Sequence, residues 1–172
     1  MEAMECMLTR RSVKKYKPDP VSKDLIEKII EAGLNAPSGL NKQAPIILAV
    51  TDKQVRDELS KLNAGKDPFF RSDPFYGAPV VLVVLADKSV PTYVYDGALV
   101  MENLQLAAHA LGLGSCWIHR AKETFEQPAG KAILEKLGLQ GEYEGIGNCI
   151  VGYADIFPEK KPRKENRVFW IE

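Results

Sequence analysis

"PVVLVVLA", residues 79–86, is an uninterrupted run of apolar, mostly β-branched residues. A strand with one face in water alternates apolar and polar residues, whereas this run does not alternate. We therefore expect a fully buried strand here. A second, shorter apolar run at 46–50 predicts another strand earlier in the chain.

The segments around these strands predict helices. Ser22 is a good N-cap, and apolar residues recur at helical spacing between residues 23 and 36. Asp52 can cap a charged surface helix that reaches about Asn63. The segment 92–111 is apolar nearly all round, which is typical of a helix in a core or at an oligomer interface.

Further elements complete an alternation of helices and strands. They are a helix at 1–8, a strand at "SCWIH" (115–119), a helix that Pro128 opens and Gly138 closes, a strand at "GNCIVGYAD" (147–155) and a β-prone end at "RVFWIE" (167–172). This alternation indicates a mixed α/β architecture. A chain of 172 residues is expected to form one domain with a substantial core.

The composition, 45% hydrophobic and 27% charged residues, is ordinary for a globular protein. No apolar stretch reaches the ~18 residues of a membrane span, and "MEAMECMLTR" is acidic where a signal peptide is basic. We therefore expect a cytoplasmic protein without a membrane partner. The widely spaced Cys6, Cys116 and Cys149 predict buried thiols rather than a disulfide framework or a zinc site.

Positive charge is concentrated near the two ends of the chain. The octets "RRSVKKYK" (10–17) and "KKPRKENR" (160–167) hold ten of the 23 basic residues and one of the 23 acidic ones. The rest of the chain is therefore acidic, while the net charge is zero. A neutral chain argues against a nucleic-acid partner and leaves the two basic octets to be explained.

The common nucleotide and nucleophile motifs are absent from the sequence. It has no G-x-x-x-x-G-K-[ST] and no G-x-S-x-G, and its two G-x-G starts lack the third glycine of a dinucleotide fingerprint. His109 and His119 have no acidic cluster between them, so we predict no metal site. His109 is expected to be a satisfied core histidine, and any chemistry is expected to come from a bound cofactor.

The two basic octets have a pattern that suits phosphate. In an extended segment, Arg10, Ser12 and Lys14 lie on one side and present a guanidinium, a hydroxyl and an ammonium together. Lys161 and Arg163 alternate in the same way. Our hypothesis is that both ends of the chain close on one dianion. A solvated basic surface and an RNA-binding tract are the alternatives.

An ordered set of motifs resembles the FMN-dependent nitroreductase family. The motifs are "RRSVKKY" (10–16), "APSGLNKQ" (36–43), "LGLGSCWI" (111–118), "VGYAD" (151–155) and "KPRK" (161–164), which together cover nearly the whole chain. The resemblance implies an α+β, three-layer α-β-α fold. It also implies an intertwined homodimer with FMN at two equivalent interface sites.

The resemblance further implies a set of cofactor-binding residues. These are Arg10, Arg11, Ser12, Lys14, Pro37, Ser38, Gly39, Asn41, Ile118, His119, Arg120, Lys161 and Arg163. Arg10, Arg11, Ser12 and Lys14 would hold the phosphate and ribityl chain, and Lys161 and Arg163 would close on the phosphate. The residues at 37–41 would approach from the other subunit. The backbone amide of His119 would be the donor to flavin N5.

The activity implied by the resemblance is hydride transfer from NADH or NADPH through FMN N5 to a nitroaromatic or quinone, in a ping-pong reaction. No side chain need act as nucleophile or base. The alternatives are other flavin chemistry (reductive dehalogenation or flavin fragmentation), a non-catalytic FMN carrier, and an RNA-binding protein. The aromatic loop at 66–76 is expected to flank the substrate face of the flavin.

Overall fold

The structure, a computed structural model, describes residues 1–65 and 73–172. The helices are α1 (Ala3–Thr9), α2 (Lys23–Leu34), α3 (Lys53–Ala64), α4 (Tyr93–Ala110), α5 (Ala121–Glu126) and α6 (Pro128–Lys136), and a 3-10 turn covers Gly39–Asn41. The strands are β1 (Pro45–Val50), β2 (Val80–Asp87), β3 (Gly114–Ile118) and β4 (Tyr143–Gly152).

The strands of the described residues form one antiparallel sheet in the order β1-β2-β4-β3. The run 80–86 is buried along its whole length, which confirms the predicted buried strand. Its side chains point alternately to the two faces of the sheet. Leu82 and Val84 belong to one apolar cluster, and Val81 and Val83 to the other.

Helices cover both faces of this sheet. One cluster packs β2 against α2 and α4 through residues such as Ile29 and Leu104. The other packs β2 against α3, α5 and α6 through residues such as Leu59 and Phe125. The molecule is therefore a three-layer helix–sheet–helix structure, as expected.

Local sequence signals explain where several helices begin. The Ser22 hydroxyl accepts a hydrogen bond from the Leu25 amide at 3.4 Å, so α2 has the predicted cap. The Asp52 carboxylate accepts hydrogen bonds from the amides of Gln54 and Val55 at 2.9 and 3.0 Å, which caps α3. Pro128 occupies the first position of α6, where its missing N–H has no consequence.

Three features differ from the sequence prediction. The short helix α5 was not predicted, and β4 begins at Tyr143 instead of Gly147 because a glycine-rich segment continues the strand. The β-prone end at 167–172 forms no strand in the described structure. It lies exposed, and its backbone pairs with none of the strands of the described residues.

Other expectations concern side chains and membrane insertion. All three cysteines are free and buried, as predicted. No helix in the described ranges is both long and apolar enough to cross a membrane. Of the aromatic loop, Phe69 and Phe70 lie outside the described residues, whereas Phe75 is buried and Tyr76 is exposed.

Candidate functional site

The segment after α1 runs in an extended conformation between β3 and the chain that follows β4. Ser12 bridges Ser115 in parallel, and Tyr16 bridges Ala154 in antiparallel fashion. The amide of Val13 donates to the Ser115 carbonyl at 3.0 Å. These bonds bring the first basic octet beside the segment that leads to the second.

Alternation along this segment separates a buried side from an exposed one. Val13 is fully buried, while its neighbours Ser12 and Lys14 are exposed. A Cβ at Gly114 would lie 2.8 Å from the Val13 side chain. Only glycine therefore allows β3 to approach the segment this closely.

A second set of contacts fixes the chain after β4. Lys15 forms a 2.8 Å ion pair with Asp155, whose amide also donates to the Lys15 carbonyl at 3.0 Å. The Lys17 amide donates to the Tyr153 carbonyl at 2.9 Å. The two ends of the chain are thus joined through their backbones at residues 153–155.

A basic cavity of about 390 Å³ lies where the two ends meet. Its lining consists of Arg10, Arg11, Ser12, Lys14, Pro158, Glu159, Lys161 and Arg163. Five of these residues are cationic and one, Glu159, is acidic. The lining therefore has a net positive charge and suits an anion.

Neighbouring groups orient the two arginines of this cavity. Arg10 Nη1 donates to the side-chain oxygen of the buried Gln105 at 3.2 Å, and Arg10 Nε lies 4.0 Å from a Glu102 oxygen. Arg11 Nη1 donates to the carbonyls of Leu8 and Arg10 at 3.0 and 2.7 Å. Both guanidinium groups are thereby held in place before any ligand arrives.

A second cavity, of about 460 Å³, shares Lys14 with the first. The rest of its lining is Asn63, Pro74, Tyr76, Cys116, Trp117, Ile118, His119, Arg120 and Glu123. Lys14 Nζ lies 5.8 Å from the centre of the Tyr76 ring. A basic cavity and a cavity with aromatic walls therefore meet at one lysine.

The backbone at the end of β3 is clamped by two buried amide side chains. Asn148 Nδ2 donates to the Ile118 carbonyl at 3.4 Å, and Asn63 Nδ2 donates to the His119 carbonyl at 2.8 Å. A trans peptide points its C=O and N–H in opposite directions. Holding the Ile118 carbonyl therefore also fixes the direction of the His119 N–H.

The following residue, Arg120, has a left-handed backbone (φ 73°), which is uncommon for a residue with a side chain. Its Nη1 donates to the Ala64 carbonyl at 3.2 Å. This turn ends β3 and starts α5, so that the strand end faces the second cavity.

A partly buried ion pair between Arg56 and Asp73 supports the wall that Tyr76 provides. The Asp73 carboxylate accepts hydrogen bonds from Arg56 Nη2, from the Ser60 hydroxyl at 2.6 Å and from the Gly77 amide at 2.7 Å. Burial raises the pKa of Asp73, but these bonds outweigh burial and hold that pKa below its ordinary value. The turn that carries Tyr76 (φ 52°) is fixed by this carboxylate.

The loop at 37–43 lies elsewhere. Gly39 donates its amide to a carboxylate oxygen of Asp96 at 3.0 Å, and the Thr92 hydroxyl donates to the other oxygen at 2.8 Å. Leu40, at the tip, is 93% exposed. In the described structure, neither cavity is lined by the predicted site residues of this loop, which are Pro37, Ser38, Gly39 and Asn41.

The sequence thus predicted the residues of the basic cavity except Pro158 and Glu159, and it predicted Ile118, His119 and Arg120 at the strand end. It missed Asn63 and Asn148, which hold the strand end, and it missed the Arg56–Asp73 pair. Buried asparagines carry no pattern in a single sequence, so no signal could have identified them. Tyr76, from the aromatic loop predicted at 66–76, lines the second cavity, and Cys116 and Trp117 line it because they adjoin the predicted Ile118 in the strand.

Comparison with known proteins gives consistent results. The model of the nitroreductase family matches residues 7–153. A nitroreductase of Bacteroides fragilis, solved with bound FMN, superimposes over 100% of both chains with a TM-score of 0.89 and 27% identity.

Two relatives of known name extend this comparison. The NADPH-flavin oxidoreductase of Vibrio harveyi is 30% identical over 171 residues, which cover 93% of this chain and 69% of that protein. A Methanothermobacter thermautotrophicus protein, named for NADH dehydrogenase and NAD(P)H nitroreductase activities, is 29% identical over 126 residues. That match covers 68% of this chain and 60% of the relative's length.

Proposed function

The chain belongs to the nitroreductase family, and on that basis we propose that it is an FMN-dependent oxidoreductase that takes hydride from NADH or NADPH. One observation carries this proposal: the two basic ends of the chain line a single cavity, which shares Lys14 with a cavity that has aromatic walls. FMN has a dianionic phosphate at one end and a flat aromatic ring system at the other.

The residues of the two cavities fit FMN in charge and in order. Arg10, Ser12, Lys161 and Arg163 would hold the phosphate. The cationic residues of the cavity outnumber its one acidic residue, Glu159. The ring would lie beyond Lys14, along the strand end and beside Tyr76. The ammonium of Lys14 would then face the junction between the phosphate-bearing chain and the ring.

When bound, FMN would supply the redox chemistry, passing hydride from the nicotinamide donor through N5 to a nitroaromatic or quinone in a ping-pong reaction. The chain's own task is positioning. The amide of His119, flanked by Ile118 and Arg120, would donate a hydrogen bond to N5. Asn148 supports this role because it fixes the peptide that carries that amide. The His119 ring needs no part in proton transfer.

We extend the proposal to an obligate homodimer. Tyr95 and Leu99 of α4 are exposed, and the end segment 168–171 leaves large apolar side chains almost fully exposed. Isolated exposed apolar residues are normal, but a helix face and a whole segment together favour a partner surface. The expected interface exceeds roughly 2,000 Å².

We also propose a cytoplasmic location, with which the three buried free thiols are compatible.

In such a dimer, the loop residues Pro37, Ser38, Gly39 and Asn41 would complete the partner's FMN site. Two observations support this role: the tip of the loop at Leu40 is exposed, and the four residues line neither cavity of their own chain.

A mixed dimer provides the test. One subunit would carry Asn41→Ala and the other Arg163→Ala. If the site is shared, one of the two sites combines both defects and the other has neither, so tight FMN binding at half the sites should return.

The visible spectrum of the purified protein tests the proposed function directly. A flavin band that NADH or NADPH bleaches without oxygen, and that a nitroaromatic or quinone restores, is the expected result. A flavin band that neither donor bleaches would identify an FMN carrier instead. Colourless protein that retains nucleic acid would support the RNA-binding alternative and overturn our proposal.

An acceptor screen separates the remaining flavin reactions. Steady-state rates at several donor and acceptor concentrations should give parallel double-reciprocal lines, as a ping-pong reaction requires. Turnover of a halogenated aromatic with halide release, or consumption of the flavin itself, would instead indicate reductive dehalogenation or flavin fragmentation.

A further inference from the structure

His109 contacts the residue that precedes each wall of the basic cavity. Its Nε2 lies 2.8 Å from Thr9 Oγ1, and its ring stacks on Phe157 with centroids 5.6 Å apart and planes 18° apart. Thr9 is followed by Arg10, and Phe157 is followed by Pro158. Both of these following residues line the cavity, whereas His109 itself does not. It is half-buried rather than a core residue, so the prediction of a core position was wrong.

The hydrogen bonds of Thr9 define the direction of this contact. The Thr9 hydroxyl has one hydrogen to donate. Its oxygen, Oγ1, lies 2.6 Å from the Glu5 carbonyl oxygen, which can only accept. The arrangement that satisfies both contacts has the hydroxyl donating to the Glu5 carbonyl and accepting the hydrogen of His109 Nε2. Burial lowers the pKa of His109, and the charges of Arg10 and Arg11 lower it further. This arrangement corresponds to a neutral ring with its proton on Nε2, and the lowered pKa favours the neutral form.

We infer that His109 is a positioning residue that joins the two walls of the phosphate cavity, one through Thr9 and the other through Phe157. This inference rests on the proposed binding of FMN. The Tyr16–Ala154 bridge anchors the C-terminal wall as far as residue 155. The His109 stack anchors it two residues further, next to the irregular chain that carries Lys161 and Arg163.

Such an anchor matters because the second basic octet has no regular secondary structure. Exposed chain loses conformational entropy when it closes on a ligand. A wall that is held in place before binding loses less, so the same phosphate contacts give a higher affinity. Loss of the anchor should weaken phosphate binding and leave ring binding unchanged.

Three variants test this inference by titration of apo-protein with FMN and with riboflavin, which lacks the phosphate. His109→Phe can keep the stack on Phe157 but cannot donate to Thr9, and Thr9→Val removes the acceptor at similar size. Each should weaken FMN binding about 3- to 10-fold, the value of one net hydrogen bond, with riboflavin unchanged. Thr9→Ser keeps the hydroxyl and should match the parent.

The double variant Thr9→Val/His109→Phe should bind FMN no more weakly than either single variant, because both remove the same bond. Nitrogen chemical shifts should also show the Nε2–H tautomer of His109 in the parent. Equal losses for FMN and riboflavin, or no loss of FMN affinity, would overturn the inference while leaving the proposed function intact. A parent protein that binds no FMN would overturn both.

Discussion

Replacing Arg163 with alanine should weaken FMN binding about 10- to 100-fold. Arg163 lines the basic cavity from an exposed, irregular part of the chain, so its removal leaves no hole in the core. A charge-assisted hydrogen bond to phosphate contributes roughly 1.5–3 kcal/mol net, and ~1.4 kcal/mol is a factor of ten in Kd. The lower free energy corresponds to an increase in the Kd for FMN of about tenfold, and the upper one to an increase of about a hundredfold.

Arg167 provides a matched control in the same basic octet. Its Nε donates to the Lys164 carbonyl at 3.3 Å, and it is not among the residues that line the cavity. Arg167→Ala removes the same charge from the same segment. Arg167 does not line the cavity, so its charge acts on the ligand only at longer range and through salt screening, and this control should change the Kd less than about twofold.

The assay is a titration of apo-protein followed by quenching of flavin fluorescence, with FMN and riboflavin in parallel. Arg163→Ala should lose affinity for FMN alone, and raising the salt concentration should reduce the difference from the parent. Equal losses for both flavins would show that the basic cavity does not hold the phosphate. A loss in Arg167→Ala as large as that in Arg163→Ala would refute specific contact and leave only a general charge effect.

Four further outcomes are expected. His119→Gln should retain most of the rate of flavin reduction in anaerobic stopped-flow experiments, and a loss beyond ~100-fold with FMN still bound would indicate acid–base work by the ring. Tyr76→Ala should raise the KM for the acceptor more than the Kd for FMN, and an unchanged KM would count against Tyr76 as a wall of the substrate pocket. Sedimentation should find dimers at micromolar concentration, and deletion of 168–172 should promote dissociation; a folded, FMN-loaded monomer of the full chain would contradict this. Folding lowers the pKa of Asp73, so the charged carboxylate stabilises the fold at pH values above the ordinary pKa of an aspartate, and this stability is lost as the pH falls through the lowered pKa. Urea unfolding should therefore show that Asp73→Asn is less stable than the parent at pH 7 and closer to the parent in stability below about pH 4.

The sheet and its main helices could be predicted because their signals are local. An apolar run without alternation predicted β2, and single capping residues predicted the starts of α2 and α3. Strand β4 ends at Gly152 instead of Asp155, and it was predicted to begin at Gly147, four residues too late, because glycines are unfavourable in strands. Here they have a reason in packing: a Cβ at Gly147 would lie 2.6 Å from the Trp117 ring, and one at Gly145 would meet the backbone of Ala121 at 2.3 Å. Such crowding exists only in the folded molecule.

The candidate site also contains residues that local sequence could predict and residues that only the fold brings together. Arg10, Ser12 and Lys14 could be named because alternation in an extended segment is visible in the sequence. The clamp made by Asn63 and Asn148 could not be predicted, because each of its hydrogen bonds joins residues at least 30 positions apart in the sequence. The contact between His109 and Phe157 also depends on the path of the chain after β4.

The bridge between Tyr16 and Ala154 has a consequence for how the protein is made. The basic cavity combines residues near position 10 with residues near position 163, so it cannot form until residue 163 has left the ribosome. A nascent chain therefore has no complete phosphate site, and tight cofactor loading must follow synthesis. Once loaded, FMN would favour the folded state by mass action, by ~2.7 kcal/mol at a free concentration one hundred times its Kd. Cofactor supply would thus set how much newly made chain survives, and flavin-starved cells should degrade this protein faster without any change in its rate of translation.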